Sequence, residues 1–436
     1  MSIRTGPTNV KIVRAFSMLL PDSSGEHYSD LYKWLISYRM PSQSIQQDKP
    51  EFALFDLGFR PFFLGAAVFA LASISIWFAG YFGGLSFGWN SISGFQWHAH
   101  EMIYGYCMAV IAGFLLTAVN NWTGIRTANG WALSIIFGLW ALARVVFLFG
   151  EQYVVAAASL DMIFSFSLIV GVTYPVVKSR QWKQMAVLSK LIVIAAFNAC
   201  FYLGVVNLLD EGIRIGIYGG VYMVIGLIMT LGRRVIPSFI ERGVDYKVKL
   251  VNSRWLDISS LVLFLGFFVV EVFLQTQWLA SVLAICLFCV NGVRLVGWHT
   301  PGIWNNCMLW SLYLSMWFIC LGFLLVGLIH FAGVPKNIAI HAFAFGGIGL
   351  VTMGMMARVS LGHTGRSVID PPKAVKYSLS MILLGAIVRV LLPLIDNGHY
   401  ALWIAVSQLL WIAAFAIFAL TYLPILLRPR ADGKQI

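Results

Sequence analysis

Apolar residues along this chain come in long unbroken runs rather than in stripes. Runs of roughly 18 or more mostly apolar residues start near Pro61, Ala99, Gly130, Val154, Val187 and Ile213. Others start near Trp255, Trp278, Asn306, Ile338, Val375 and Ala401. A helix of that length crosses the hydrocarbon of a bilayer, and the two-residue alternation of a lipid-facing barrel strand is absent from these runs. The pattern predicts an all-α integral membrane protein, a bundle of about twelve transmembrane helices. Residues 1–52 read as a cytoplasmic tail, in which Val10 to Leu20 is either a short interfacial helix or disordered. Residues 53–428 read as one membrane domain and 429–436 as a short basic cytoplasmic tail. Pro175, Pro393 and Pro424 stand near span ends, where they are expected to kink the helix.

Composition agrees with the pattern: 59% of residues are hydrophobic and 11% charged, against about 25% charged in soluble domains. A net charge of +12 would suit a polynucleotide partner, but its placement argues otherwise. All Lys and Arg except Arg144, Arg214, Lys336 and Arg389 fall before the first span, in even-numbered loops or their flanks, or in the final tail. By the positive-inside rule both termini and the even loops face the cytoplasm. The basic charge therefore reports topology and contact with anionic membrane lipid, with no nucleic-acid groove implied. All six cysteines lie in predicted spans, and the CxxC at Cys286 and Cys289 has apolar neighbours and no second pair, so it reads as packing. No cleavable leader is evident in the polar N-terminal stretch.

Polar residues inside the spans are the candidate chemistry, because ionised groups in lipid pair with each other or line a cavity. Glu101, Arg144, Asp161, Glu271 and Arg389 all map towards the outer ends of their spans. His98, His100 and His341 open the second and tenth spans on that side, and His330 closes the ninth. Arg144 and Asp161 have the placement of a structural ion pair between neighbouring helices. In His98-Ala-His100 the two rings leave a helix about 200° apart, so they serve two centres, or one centre and a hydrogen-bonded partner. Glu101 is spaced to orient His98, and Tyr104 shares the face of His100. Gly346, Gly347 and Gly349 after His341 thin the tenth span for another helix or for a flat macrocycle. Met353, Met355 and Met356 follow at core spacing. On the cytoplasmic side, His363 with Arg358 and Arg366 forms a basic turn suited to a carboxylate or a lipid headgroup, and His299 stands nearby in "WHTPG". His27 and His399 read as ordinary exposed residues.

Four strings carry a family likeness: "LFDLGFRPFF" (Leu54 to Phe63), "WHAHEM" (Trp97 to Met102), "IAGFLLTAVNNWTG" (Ile111 to Gly124) and "ARVSLGHTGR" (Ala357 to Arg366). In this order and spacing the chain resembles the NnrS family of bacterial membrane proteins from about Leu54 to the last span. The resemblance implies a twelve-helix inner-membrane protein that binds haem, of b-type, and copper, and that takes part in the response to nitric oxide. It points to His98, His100, His341 and His363 as metal ligands, with His299 a further candidate. It also covers Arg60 and Pro61, and Asn121, Trp122 and Gly124. From Trp298 to Leu325 the chain departs from the family pattern, with Cys307 and Trp310 where a histidine is expected. Imidazole suits both haem iron and copper, and Arg60, Arg144, Arg358 and Arg366 are cationic candidates for haem propionates.

Three functions compete at this level. The first is a haem- and copper-binding protein that relieves or senses nitric oxide or its iron adducts, relevant to denitrification and nitrosative stress. The second is a nitric oxide reductase or related oxidoreductase, with Glu101 and Tyr104 handling protons. The third is a secondary transporter using Arg144, Asp161 and Glu271 as a coupling relay.

Overall fold

A computed structural model describes residues 52–84 and 89–433. The predicted tail therefore lies almost wholly outside the described residues, and so does the interfacial helix at Val10 to Leu20. Twelve helices have the length and apolar character to cross a membrane, and no strand occurs among the described residues. They are α1 (Phe59–Gly83), α2 (Gly94–Thr123), α3 (Gly130–Leu148), α4 (Glu151–Lys178), α5 (Trp182–Val205) and α6 (Gly212–Gly243). The second six are α7 (Arg254–Leu274), α8 (Gln277–Trp298), α9 (Cys307–Ala332), α10 (Lys336–His363), α11 (Lys373–Ile395) and α12 (Tyr400–Leu427). The all-α multi-pass architecture expected from the apolar runs is thus the observed one.

Two spans begin more than a turn before their apolar runs. At α2 the cause is a capping box: Ser93 Oγ accepts from the Gln96 amide and Gln96 Oε1 accepts from the Ser93 amide. The cap, not the edge of the apolar run, fixes the first helical residue. At α5 a 3₁₀ turn, Trp182–Gln184, precedes the regular helix from Met185.

With twelve crossings, both ends of the bundle and the even loops share one face, here the terminal face; the odd loops share the far face. The spans are apolar nearly all round, so burial and not amphipathicity separates centre from rim. In α2 and α10, 78% of the core window is buried, and in α6 and α9 67%, against 33% in α3 and α4. The first four are therefore central. The last two present Ile135, Val145, Ile163 and Phe166 to the lipid side. α12 packs along α1 and closes the bundle, with Trp411 Nε1 donating to Ala70 O across 3.2 Å.

Three spans contain π-helical turns: Glu101–Cys107 in α2, Val270–Leu274 in α7 and Ala342–Gly349 in α10. All three lie in the half of the bundle nearer the far face. Such turns re-aim side chains relative to an α-helix and recur at functional sites.

Candidate functional site

The intramembrane charges expected from the sequence converge at that end. Arg144 of α3 donates to Glu101 Oε1 of α2 at 2.8 Å and pairs with Asp161 Oδ2 of α4 at 2.5 Å. Asn198 and Tyr202 of α5 donate to the same Asp161 oxygen, at 2.9 and 3.1 Å. All five are buried. The Arg144–Asp161 pair anticipated from the sequence is present, within a network that joins four consecutive helices. Removing such ions from water costs several kcal/mol each, which pairing and the additional hydrogen bonds offset.

His100 is fully buried in this network. Its Nδ1 lies 2.9 Å from Glu101 Oε1 and its Nε2 3.0 Å from Asn198 Oδ1. Because the Asn198 amide nitrogen donates to Asp161, its oxygen must face the ring, so His100 Nε2 carries a hydrogen. Both ring nitrogens of His100 are thus engaged in hydrogen bonds. Glu101 turns to His100, not to His98 as the three-residue spacing had suggested, because the π turn begins at Glu101. Tyr104 does share the His100 face, ring to ring at 5.1 Å, and donates to Gly216 O at 2.6 Å.

His98 leaves on the opposite side. Its ring stacks on Trp77 of α1, 5.1 Å between centroids and 6° from parallel. Its Nδ1 is buried without a hydrogen-bond partner. His341 of α10 and Arg389 of α11 stand at the same end of the bundle as His98. His341 Nδ1 donates to Asn337 O at 2.7 Å, which leaves Nε2 as the lone-pair nitrogen, and Arg389 Nη2 donates to it at 3.2 Å. The outer histidines thus differ: both ring nitrogens of His100 and of His341 are hydrogen-bonded, while His98 Nδ1 is buried without a hydrogen-bond partner. A second polar pair stands near the same end: Lys336 bonds Glu271 at 2.5 Å and lies 4.2 Å over the Tyr218 ring.

The imidazoles of His98 and His341 have the donor chemistry for iron or copper. Among the described residues, no group of three or more His, Cys, Asp and Glu is arranged to hold an ion. The glycine strip of α10 does not fit a macrocycle. A Cβ at Gly346 would lie 2.2 Å from Phe318, at Gly347 2.7 Å from Ile319, and at Gly349 2.7 Å from Trp411. Neighbouring helices fill the space the glycines leave, so the strip serves helix packing.

The remaining candidates lie elsewhere. His363 is at the terminal face, with its ring 5.6 Å from Phe59. Arg60 is fully buried beneath it, donating to Leu426 O and Arg428 O while its Nε and Nη2 find no partner. Burial pushes the Arg366 guanidinium below its ordinary value, and Arg428 adds to the shift. Arg358 lies 4.0 Å over the Phe239 ring. His299 is exposed and accepts from Trp304 Nε1. His330 and His399 are exposed. Cys286 and Cys289 are exposed free thiols, on the rim of α8. Sequence reasoning missed Asn198, Tyr202 and Trp77. The first two carried a signal, two polar groups four residues apart on one face of an apolar span.

The chain matches a family model described as "NnrS protein" over residues 53–430. No curated protein matches it.

Proposed function

The chain belongs to the NnrS family, and from that premise we propose that it is a haem- and copper-binding protein of the bacterial inner membrane that relieves or senses nitric oxide stress. The terminal face, rich in Lys and Arg, lies in the cytoplasm. The far face, with its histidines, lies at the periplasmic side. The observation that carries the reading is the buried Nδ1 of His98, which has no hydrogen-bond partner, with the His341 ring at the same end of the bundle. When bound there, a metal supplies a coordination site that a small uncharged molecule can reach through lipid. His98 is held in plane by Trp77, and His341 is oriented by the Asn337 carbonyl. Arg389 donates to His341 Nε2, a hydrogen bond that this nitrogen would have to give up to hold a metal. The network around His100 keeps α2 to α5 in register behind this pair. Haem cannot rest on the glycine strip of α10, so His98 and His341 are the residues that would hold it, as they would copper.

The test is an optical and EPR spectrum, with copper analysis, of detergent-purified protein expressed with iron, haem precursor and copper supplied. A Soret band or bound copper that responds to nitric oxide is expected. His98→Ala and His341→Ala should abolish it, while His100→Ala retains metal per folded molecule at lower stability. Absence of both metals, or their loss in His100→Ala alone, would refute the proposal. A reductase reading draws support from the buried contact between His100 Nδ1 and Glu101 Oε1. It predicts nitric oxide consumption with an electron donor, lost in Glu101→Gln although metal is kept.

A further inference from the structure

The central helices enclose a cleft that the far-face site does not use. It lies between α1, α2, α6 and α10, is half open, and holds about 90 Å³. Phe114, Ile228, Leu231, Val235 and Met355 line it and stay only half-buried, although they belong to the most buried helices. The cleft runs from the level of Val351 towards the terminal face, where α6 and α10 end. Arg358 stands one turn beyond Met355 in that direction and lies over Phe239, itself one turn beyond Val235. Arg242 follows Phe239 by three residues on α6 and shares its face. Neither arginine meets a carboxylate among the described residues; Arg242 bonds the Ser238 hydroxyl, and Glu241 accepts from the Leu250 amide.

We propose that this cleft is a binding site for one anionic phospholipid of the terminal-face leaflet, with an acyl chain in the cleft and its phosphate on Arg358 and Arg242. An apolar trough about 13 Å long along α6, from Leu227 to Ile236, suits a hydrocarbon chain and offers no ligand to a metal, since no lining side chain is His, Cys, Asp or Glu. Two unneutralised guanidiniums at its mouth select a negative headgroup over a zwitterionic or uncharged one. A free phosphate would meet the arginines but gain nothing from the trough. The site is separate from the histidine pair and stands or falls without it.

The experiment reconstitutes the full chain in phosphatidylcholine nanodiscs with increasing phosphatidylglycerol. Retained lipid per chain is then measured by mass spectrometry after mild detergent extraction. Near-stoichiometric retention of phosphatidylglycerol is expected. Arg358→Gln should weaken it about tenfold, the effect of losing one charge-assisted contact. Val235→Trp, which fills the trough without changing charge, should abolish retention, and Lys376→Gln on the same face should not alter it. Gel filtration and circular dichroism identify variants that fail to fold. Equal retention of phosphatidylcholine, full retention in Val235→Trp, competition by inorganic phosphate alone, or recovery of haem in place of lipid would each overturn the proposal.

Discussion

Replacing Arg144 by methionine would leave two buried carboxylates without their cation, Glu101 keeping only His100 and Asp161 keeping Asn198 and Tyr202. Removing one partner of a buried pair costs about 3–5 kcal/mol, because the other charge stays out of water without compensation. Asp161→Leu should cost a similar amount by stranding Arg144 against Glu101 alone. If the two effects were independent, the double variant would lose about 6–10 kcal/mol. The geometry predicts less. With both gone, Glu101 keeps His100 and charge is balanced, so the loss is mainly that of the Asn198 and Tyr202 donors, about 1–3 kcal/mol each. The double variant should therefore lie about 2–6 kcal/mol below the parent, a coupling of about 4 kcal/mol. Reversible unfolding in mixed micelles, followed by tryptophan fluorescence, measures all four corners of the cycle. Strict additivity, or a loss below about 1 kcal/mol for Arg144→Met, would show that the network is not the interhelical tie described here.

Other outcomes follow from local geometry. Gly346→Ala should destabilise by about 1–3 kcal/mol, since its Cβ would lie 2.2 Å from Phe318. Gly138→Ala in α3 meets nothing within 4 Å and should be neutral, or stabilising by up to about 1 kcal/mol. The same unfolding assay separates the two, and equal effects would contradict the packing assigned to the glycine strip. Burial raises the Asp56 carboxyl above its ordinary 3.8, against the pull of Arg60 and Arg126. Folded protein then binds this proton more tightly than unfolded protein, so the contribution of Asp56 declines as pH rises through its raised value. Asp56→Asn should remove that decline and leave stability at neutral pH equal or higher; a lower value would mean that Asp56 anchors Arg60.

Much of the site could be read from isolated residues. Charges in apolar runs announced that Glu101, Arg144 and Asp161 would need partners, and neighbouring helices made the Arg144–Asp161 pair the natural first guess. The opposed directions of His98 and His100 followed from helical geometry. Spacing failed for Glu101, whose π turn breaks the three-and-four rule of the α-helix. It failed also for the glycines of α10, because whether a thin helix face meets a ring of its own protein or a ligand depends on what packs opposite. Asn198 and Tyr202 went unremarked since neither is ionised, although they complete the shell around Asp161.

What the sequence by itself determined is the number of crossings and the side on which charge collects. Both depend on the transfer of individual residues between water and lipid, a sum of local terms that needs no knowledge of neighbours. Only the tertiary structure decided that His100 is bound up with Glu101 and Asn198 while His98 keeps an unclaimed nitrogen, and that a cleft runs towards Arg358. Those outcomes depend on how each helix is rotated against helices far away in the chain, so they exist only once the spans have packed.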